Sequence, residues 1–158
     1  MSEHDDDHRT LIISEMMSPD MINYYGNVHG GNLLKLLDNV AYACAARYSG
    51  KYVVTLSVDQ VFFKEPIHVG ELVSFYASVN YVGKTSMEIG IRVVAENLIT
   101  QGKRHAISCY FTMVALDENG KPTPVRPLTM ENETQQRRYN DAVKRKEMRL
   151  ALYKQKHQ

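Results

Sequence analysis

The sequence predicts an α+β fold: one antiparallel sheet wrapped around a single long central helix, with a polar C-terminal helix outside the core. Two observations predict it. Residues 31–48 carry apolar side chains at helical spacing, and four later segments, 52–63, 71–82, 86–97 and 104–116, alternate with the period of a strand. A helix that is apolar on most sides needs cover on most sides, and a meander of long strands supplies it.

Taken in order, residues 9–17 read as a first strand closed by the turn signal Ser18-Pro19-Asp20, followed by a loop containing Gly26, Gly30 and Gly31. In the helix, Leu33, Leu36, Leu37, Val40, Ala41 and Cys44 form a wide apolar arc, and Ser49-Gly50 is the stop. Val73, Phe75, Ala77, Val79 and Tyr81 share one face of the second long strand. Ile107, Cys109, Phe111, Met113 and Ala115 share one face of the last. The connectors Lys64-Glu65-Pro66 with Val69-Gly70, Val82-Gly83-Lys84 and Gln101-Gly102 are short, as antiparallel neighbours require. Past Asp117-Glu118-Asn119-Gly120 and a linker bearing Pro122, Pro124 and Pro127, residues 131–156 form the polar helix. One domain over 9–128 and a basic helical extension over 129–158 are expected.

Composition narrows the class. With 44% hydrophobic and 23% charged residues in 158, the chain can bury a core and is not a disordered polymer. No apolar run reaches the roughly 18 residues of a membrane span, and the first residues are acidic where a signal peptide would be basic, so a cytoplasmic protein is expected. Cys44 and Cys109 both sit in apolar patterns, which fits buried thiols better than a disulfide framework or a metal site. Residues 137–156 hold eight basic side chains against two acidic ones, a candidate anion-binding surface.

Candidate chemistry gathers at the start of the long helix. In Asn27-Val28-His29-Gly30-Gly31 the free backbone N–H groups of the first turn would stabilise an anion or a developing oxyanion. Asn27 adds an amide donor that does not titrate. Asp38, two helical turns beyond Gly31, borders the apolar arc beside Leu34 and Ala41, where partial burial would suit a general base. The bland alternatives are an N-capped glycine turn and a boundary aspartate facing water.

The string Gly26-Asn27-Val28-His29-Gly30-Gly31, followed by Leu33-Leu34-Lys35-Leu36-Leu37-Asp38, closely resembles the cytosolic long-chain acyl-CoA thioesterase family of hot-dog fold hydrolases, including its bacterial members. Phe63-Lys64-Glu65-Pro66, Val69-Gly70-Glu71, Val82-Gly83-Lys84-Thr85-Ser86-Met87 and Ala95-Glu96-Asn97 match in order, so the resemblance spans about 9–146. It implies hydrolysis of acyl-CoA to fatty acid and coenzyme A, with Asn27 and Asp38 acting together. The Gly30 and Gly31 amides would hold the carbonyl, and no metal or cofactor is needed. His29, Gly83, Lys84, Thr85 and Ser86, with Arg137 and Arg138, are the expected coenzyme A contacts. Asp38 as general base and Asp38 as nucleophile through an anhydride are both open.

Geometry adds a dimer. Eleven positions of mostly helical rise put Asn27 and Asp38 roughly 15 Å apart, too far to touch one carbonyl. If they share a site, Asp38 comes from a second chain related by a two-fold axis. The resemblance further implies three such dimers in a hexamer. A non-catalytic acyl-CoA sensor is the main alternative. A hot-dog dehydratase would want a histidine beside the helix acid, and nucleic-acid binding would want more than Tyr139 and Tyr153 among the basic residues.

Overall fold

The structure, a computed structural model, describes residues 8–157; the acidic start lies outside the described residues. Its order is β1 (Thr10–Met16), a 3-10 turn (Pro19–Met21), α1 (Gly30–Ser49), β2 (Tyr52–Phe63), β3 (Leu72–Val82), β4 (Ser86–Glu96), β5 (Lys103–Leu116) and α2 (Glu133–Lys156). The five strands form one sheet ordered β1-β3-β4-β5-β2, antiparallel at every step. This is the hot-dog architecture that the alternation predicts.

One face of the sheet packs on α1. Leu33, Leu37, Val40, Ala41, Cys44, Ala45 and Tyr48 of the helix meet Val73, Phe75, Ala77 and Val79 of β3 and their register partners on β4 and β5, all in one buried cluster. Gly50 ends the helix in the left-handed conformation at φ +66°, its N–H bonded to Ala46 O, which is why glycine stands there. Burial pushes the Cys44 and Cys109 thiols up to about 12, so both are core residues and neither is a nucleophile.

The outer face of the sheet carries α2. The helix buries Ala142 and is fastened by two ion pairs, Arg145 to Glu88 of β4 at 2.7 Å and Arg149 to Asp59 of β2 at 2.6 Å. Four expectations need correction. The 64–70 connector does not join neighbouring strands, since β4 and β5 stand between β3 and β2 in the sheet. Ser18-Pro19-Asp20 is not a bare turn, since Pro19 opens a turn of 3-10 helix. The second helix starts at 133 rather than 131, because the Asn132 side chain accepts from Gln135 N and caps it there. Tyr81 leaves the core face of β3: a bulge between Val79 and Tyr81 reverses the alternation, and Tyr81 packs on Tyr139 of α2 with ring centroids 5.2 Å apart. Among the described residues no helix is long and apolar enough to cross a membrane.

Because β2 is a sheet edge, one flank has no cover among the described residues. Along it Tyr52, Val54, Leu56, Val58, Phe62 and Phe63 are all exposed, and Leu34 and Tyr42 extend the patch onto α1. A long apolar edge strand left open invites pairing with another chain.

Candidate active site

Asn27 lies in the loop before α1, held by two neighbouring segments. Its N–H bonds to Asn23 Oδ1 at 3.2 Å, and it forms an isolated bridge with His68, whose Nδ1 lies 2.9 Å from Asn27 Oδ1. Val28 N donates to Ile67 O at 2.8 Å, so the loop runs beside the β2–β3 connector.

The helix start differs from expectation in one respect. His29 is the capping residue, and its Nδ1 accepts the Gly31 N–H at 2.9 Å. That amide is therefore committed. Gly30 N–H is without a partner among the described residues, so the predicted pair of glycine donors reduces to one. Phe63, the last residue of β2, stands beside Gly30: a Cβ there would lie 3.8 Å from its ring.

Asp38 sits on the open flank of α1 and is exposed, not half-buried as its place beside the apolar arc predicts, because no strand or helix of the described residues lies beyond β2 to cover it. Its Oδ1 accepts from Thr55 Oγ1 of β2 at 2.6 Å. Thr55 also stands on the core face of its strand, opposite Met113. The bond fixes one carboxylate oxygen and leaves the other for solvent or substrate. Thr55 is absent from the sequence prediction, although a threonine on the inner face of an alternating strand is a detectable break in pattern.

Asn27 and Asp38 do not meet. Gly30 adjoins Phe63 and Asp38 adjoins Thr55, eight residues apart on β2, about 25 Å at strand rise.

The Gly83-Lys84-Thr85-Ser86 segment forms the β3–β4 hairpin. Gly83 N bonds to Ser86 O, and Thr85 O accepts from Ala115 N beside the start of β2. A Cβ on Gly83 would lie 2.9 Å from Ser86 Oγ, so the turn is packed too tightly for another residue without movement of that side chain. Lys146 of α2, unexpected from sequence, places Nζ 3.2 Å from Tyr81 OH and close to the same turn, giving the hairpin a second cation beside Lys84. Arg137 and Arg138 lie elsewhere. They line a cavity of about 640 Å³ on the outer sheet face, with Arg92, Arg145, Tyr76 and Tyr110, and the sheet separates them from Asn27 and Asp38 of their own chain.

One ion pair braces the loop. Glu71, 4% exposed, is gripped by Arg104 through both oxygens, at 2.5 and 2.6 Å, and also accepts the His68 N–H at 2.7 Å. The hydrogen bond from Arg104 holds the Glu71 carboxyl below the ordinary glutamate value of 4.5. A depressed carboxylate stabilises the fold above its unfolded pKa, and that contribution disappears as pH falls through the native one. Glu71→Gln is expected to cost about 2 kcal/mol near neutrality. Its stability should also decline less than wild type's on acidification below 4.5, which thermal melts at stepped pH would show.

Comparisons with known proteins agree with the fold. Residues 25–100 match the family model described as thioesterase superfamily. Protein VdlD of Helicobacter pylori is 52% identical over 93% of this chain and 84% of its own. The uncharacterized acyl-CoA thioester hydrolase YkhA of Bacillus subtilis is 37% identical over 78% and 72%. Among solved structures, an acyl-CoA hydrolase from Staphylococcus aureus, in complex with butyryl coenzyme A, coenzyme A and coenzyme A disulfide, superposes with a TM-score of 0.87 at 29% identity, covering 95% of this chain and 92% of that one. An apo-hexameric acyl-CoA thioesterase superposes with a TM-score of 0.89 at 34% identity, covering 93% and 94%. The Staphylococcus aureus enzyme has also been solved as variants in which an aspartate, an asparagine and a threonine are each replaced by alanine.

Proposed function

The chain belongs to the thioesterase superfamily and is an acyl-CoA thioester hydrolase, and from that premise we propose that catalysis occurs at a site shared by two copies, with Asn27 from one and Asp38 from the other. One observation carries the proposal: Gly30, at the end of the Asn27 loop, adjoins Phe63, while Asp38 adjoins Thr55, at different points along the same edge strand. Antiparallel pairing of β2 with its copy reverses the strand. A two-fold axis near Asp59, midway between Thr55 and Phe63, then brings the Gly30 end of one subunit opposite the Asp38 end of the other. Arg149 neutralises Asp59, so the two aspartates can approach across the axis. Hexameric relatives support such assembly, and a trimer of these dimers is the proposed whole.

In that site the thioester carbonyl accepts from Gly30 N–H at the helix start, and the Asn27 amide steadies the carbonyl or the water. The partner subunit's Asp38, oriented by the partner subunit's Thr55, takes a proton from the water as its oxygen bonds to the carbonyl carbon. Collapse of the tetrahedral intermediate breaks the C–S bond, and the proton passes to the departing thiolate. The spacing from Asp38 to Thr55 equals that between the aspartate and the threonine replaced in the Staphylococcus aureus enzyme, which supports pairing them here. By the same count the asparagine replaced there falls on Asn23, whose Oδ1 accepts the Asn27 N–H, so Asn23 joins Asn27 as a candidate donor of the loop.

The partner subunit's hairpin at Gly83 to Ser86, which lies at the β2-start end, meets the phosphates of coenzyme A through Lys84 and the hydroxyls of Thr85 and Ser86. His29 supports the site as the helix cap. Arg137 and Arg138 are assigned to the nucleotide of a thioester held by a neighbouring dimer. Coenzyme A belongs to substrate and product, and no further cofactor enters this scheme. Two unpaired, buried thiols fit a reducing compartment, and we place the enzyme in the cytoplasm.

The direct test is free-thiol release from acyl-CoAs of increasing chain length, with Asp38→Asn as the comparison. Wild type should release thiol and Asp38→Asn should be slower by a factor on the order of 10² to 10⁴. Tight acyl-CoA binding without thiol release would identify a sensor instead.

A further inference from the structure

Helix α2 is longer than the sheet it crosses. Tyr139 packs on Tyr81 of β3, Arg145 pairs with Glu88 of β4, and Arg149 pairs with Asp59 of β2. From Tyr139 to Arg149 the helix rises about 15 Å, and the three strand spacings from β3 to β2 measure about 14 Å, so α2 crosses the strands at close to a right angle. Residues 150–156 then carry it roughly 10 Å past the edge strand.

Burial ends where the sheet ends. Ala142, Arg145, Lys146 and Arg149 are buried or half-buried, whereas every residue from 150 to 157 is exposed. The overhang still carries an apolar ridge. Met148 and Leu152, 65% and 58% exposed, continue at helical spacing the side on which Asp141 and Arg145 line the outer cavity. Tyr153, 61% exposed, continues the sheet-facing side of Ala142, Lys146 and Arg149. A contiguous apolar ridge on an otherwise basic helix end marks a contact surface.

The two-fold axis of the dimer decides what meets it. That axis passes near Asp59, and Asp59 is the residue to which Arg149 is fastened, so α2 reaches the axis at Arg149 and its last two turns lie on the partner's side. The helix runs beside the row of Tyr81, Glu88, Thr112 and Ser57, on one side of Asp59. The symmetry therefore sets the two α2 helices side by side and antiparallel, with their cavity-side ridges facing.

We propose that the last two turns of α2 are an arm that closes the dimer over the outer face of the sheet: Met148 and Leu152 pack on the same ridge of the partner subunit's α2, and Tyr153 lies on the partner subunit's β2. The inference rests on the reading that β2 pairs with its copy about an axis near Asp59. It gives the dimer a second contact, separate from the strand edge and from every residue assigned to the site.

Met148→Lys with Leu152→Lys tests the arm. Both positions are exposed and lysine is a good helix former, so the melting temperature of the single chain should hold. The protein concentration at which dimers half-dissociate in sedimentation should rise by at least about tenfold, because the added ammonium groups would have to be desolvated beside one another. Thiol release per site, measured where dimers are intact, should stay within about twofold of wild type. In a second measurement, Leu152→Cys treated with a short bismaleimide should yield a covalent dimer, since Cys44 and Cys109 are buried and do not compete. Adding Leu56→Lys and Phe62→Lys should abolish that cross-link. An unchanged dissociation midpoint, no cross-link, or a cross-link that forms after the edge pairing is lost would overturn the inference, the last by moving the ridge to a contact between dimers. Dimers that persist when Leu56 and Phe62 are replaced by lysine would instead remove the edge pairing, and the inference with it.

Discussion

Dimers assembled from one Asn27→Ala and one Asp38→Ala subunit are expected to recover about half of wild-type thiol release, although each variant alone should retain under about a hundredth. The arithmetic follows from ownership of the site. Each active site draws its loop from one chain and its carboxylate from the other, so a mixed dimer holds one intact site and one lacking both groups. A one-to-one mixture allowed to exchange freely rebuilds about a quarter of its sites, in a dimer or a hexamer alike, because each site samples two chains independently. Sites contained within single chains would give no recovery at any mixing ratio, since every chain carries a lesion. Kinetic assay of differently tagged, doubly purified heterodimers separates the two outcomes. The structure makes the experiment informative, because Gly30 and Asp38 adjoin residues of β2 that lie eight positions apart.

The same separation was legible in the sequence, since helical rise alone keeps Asn27 from Asp38. Alternation over long segments also located the strands, and β2 has the predicted bounds of 52–63. Two short connectors, at Val82-Gly83-Lys84 and Gln101-Gly102, join antiparallel neighbours as read, but the 64–70 connector does not, because β4 and β5 stand between β3 and β2 in the sheet. What the sequence could not show were contacts between distant segments. Glu71 and Arg104 are 33 positions apart, Asn27 and His68 are 41, and no local pattern links either pair. The cap at His29 was hidden for another reason: an imidazole nitrogen can serve as acceptor, but the preferred capping residues are short oxygen-bearing side chains, which drew attention to Asn27 instead. Asp38 marks the boundary between these cases. Its position at the edge of the apolar arc was readable, yet its exposure depends on whether a second chain lies beyond β2.

Breaking that edge should therefore abolish activity without unfolding the chain. Leu56 and Phe62 are 66% and 59% exposed, so Leu56→Lys with Phe62→Lys removes little buried surface from the single chain, and its melting temperature as an isolated chain should change little. In the proposed dimer the same side chains flank the pairing axis near Asp59. Four introduced ammonium groups per dimer would then have to be desolvated beside one another, which is how natural edge strands are kept from pairing. Sedimentation should show dissociation, and thiol release should fall to below about a hundredth of wild type, since a lone chain has Gly30 and Asn27 with no carboxylate opposite. Asn27, Asp38, Thr55 and the Gly83 to Ser86 hairpin all remain in the variant, so the loss cannot come from missing chemistry. A monomer that still hydrolyses acyl-CoA at the wild-type rate would show that one chain suffices, and would move the general base away from Asp38.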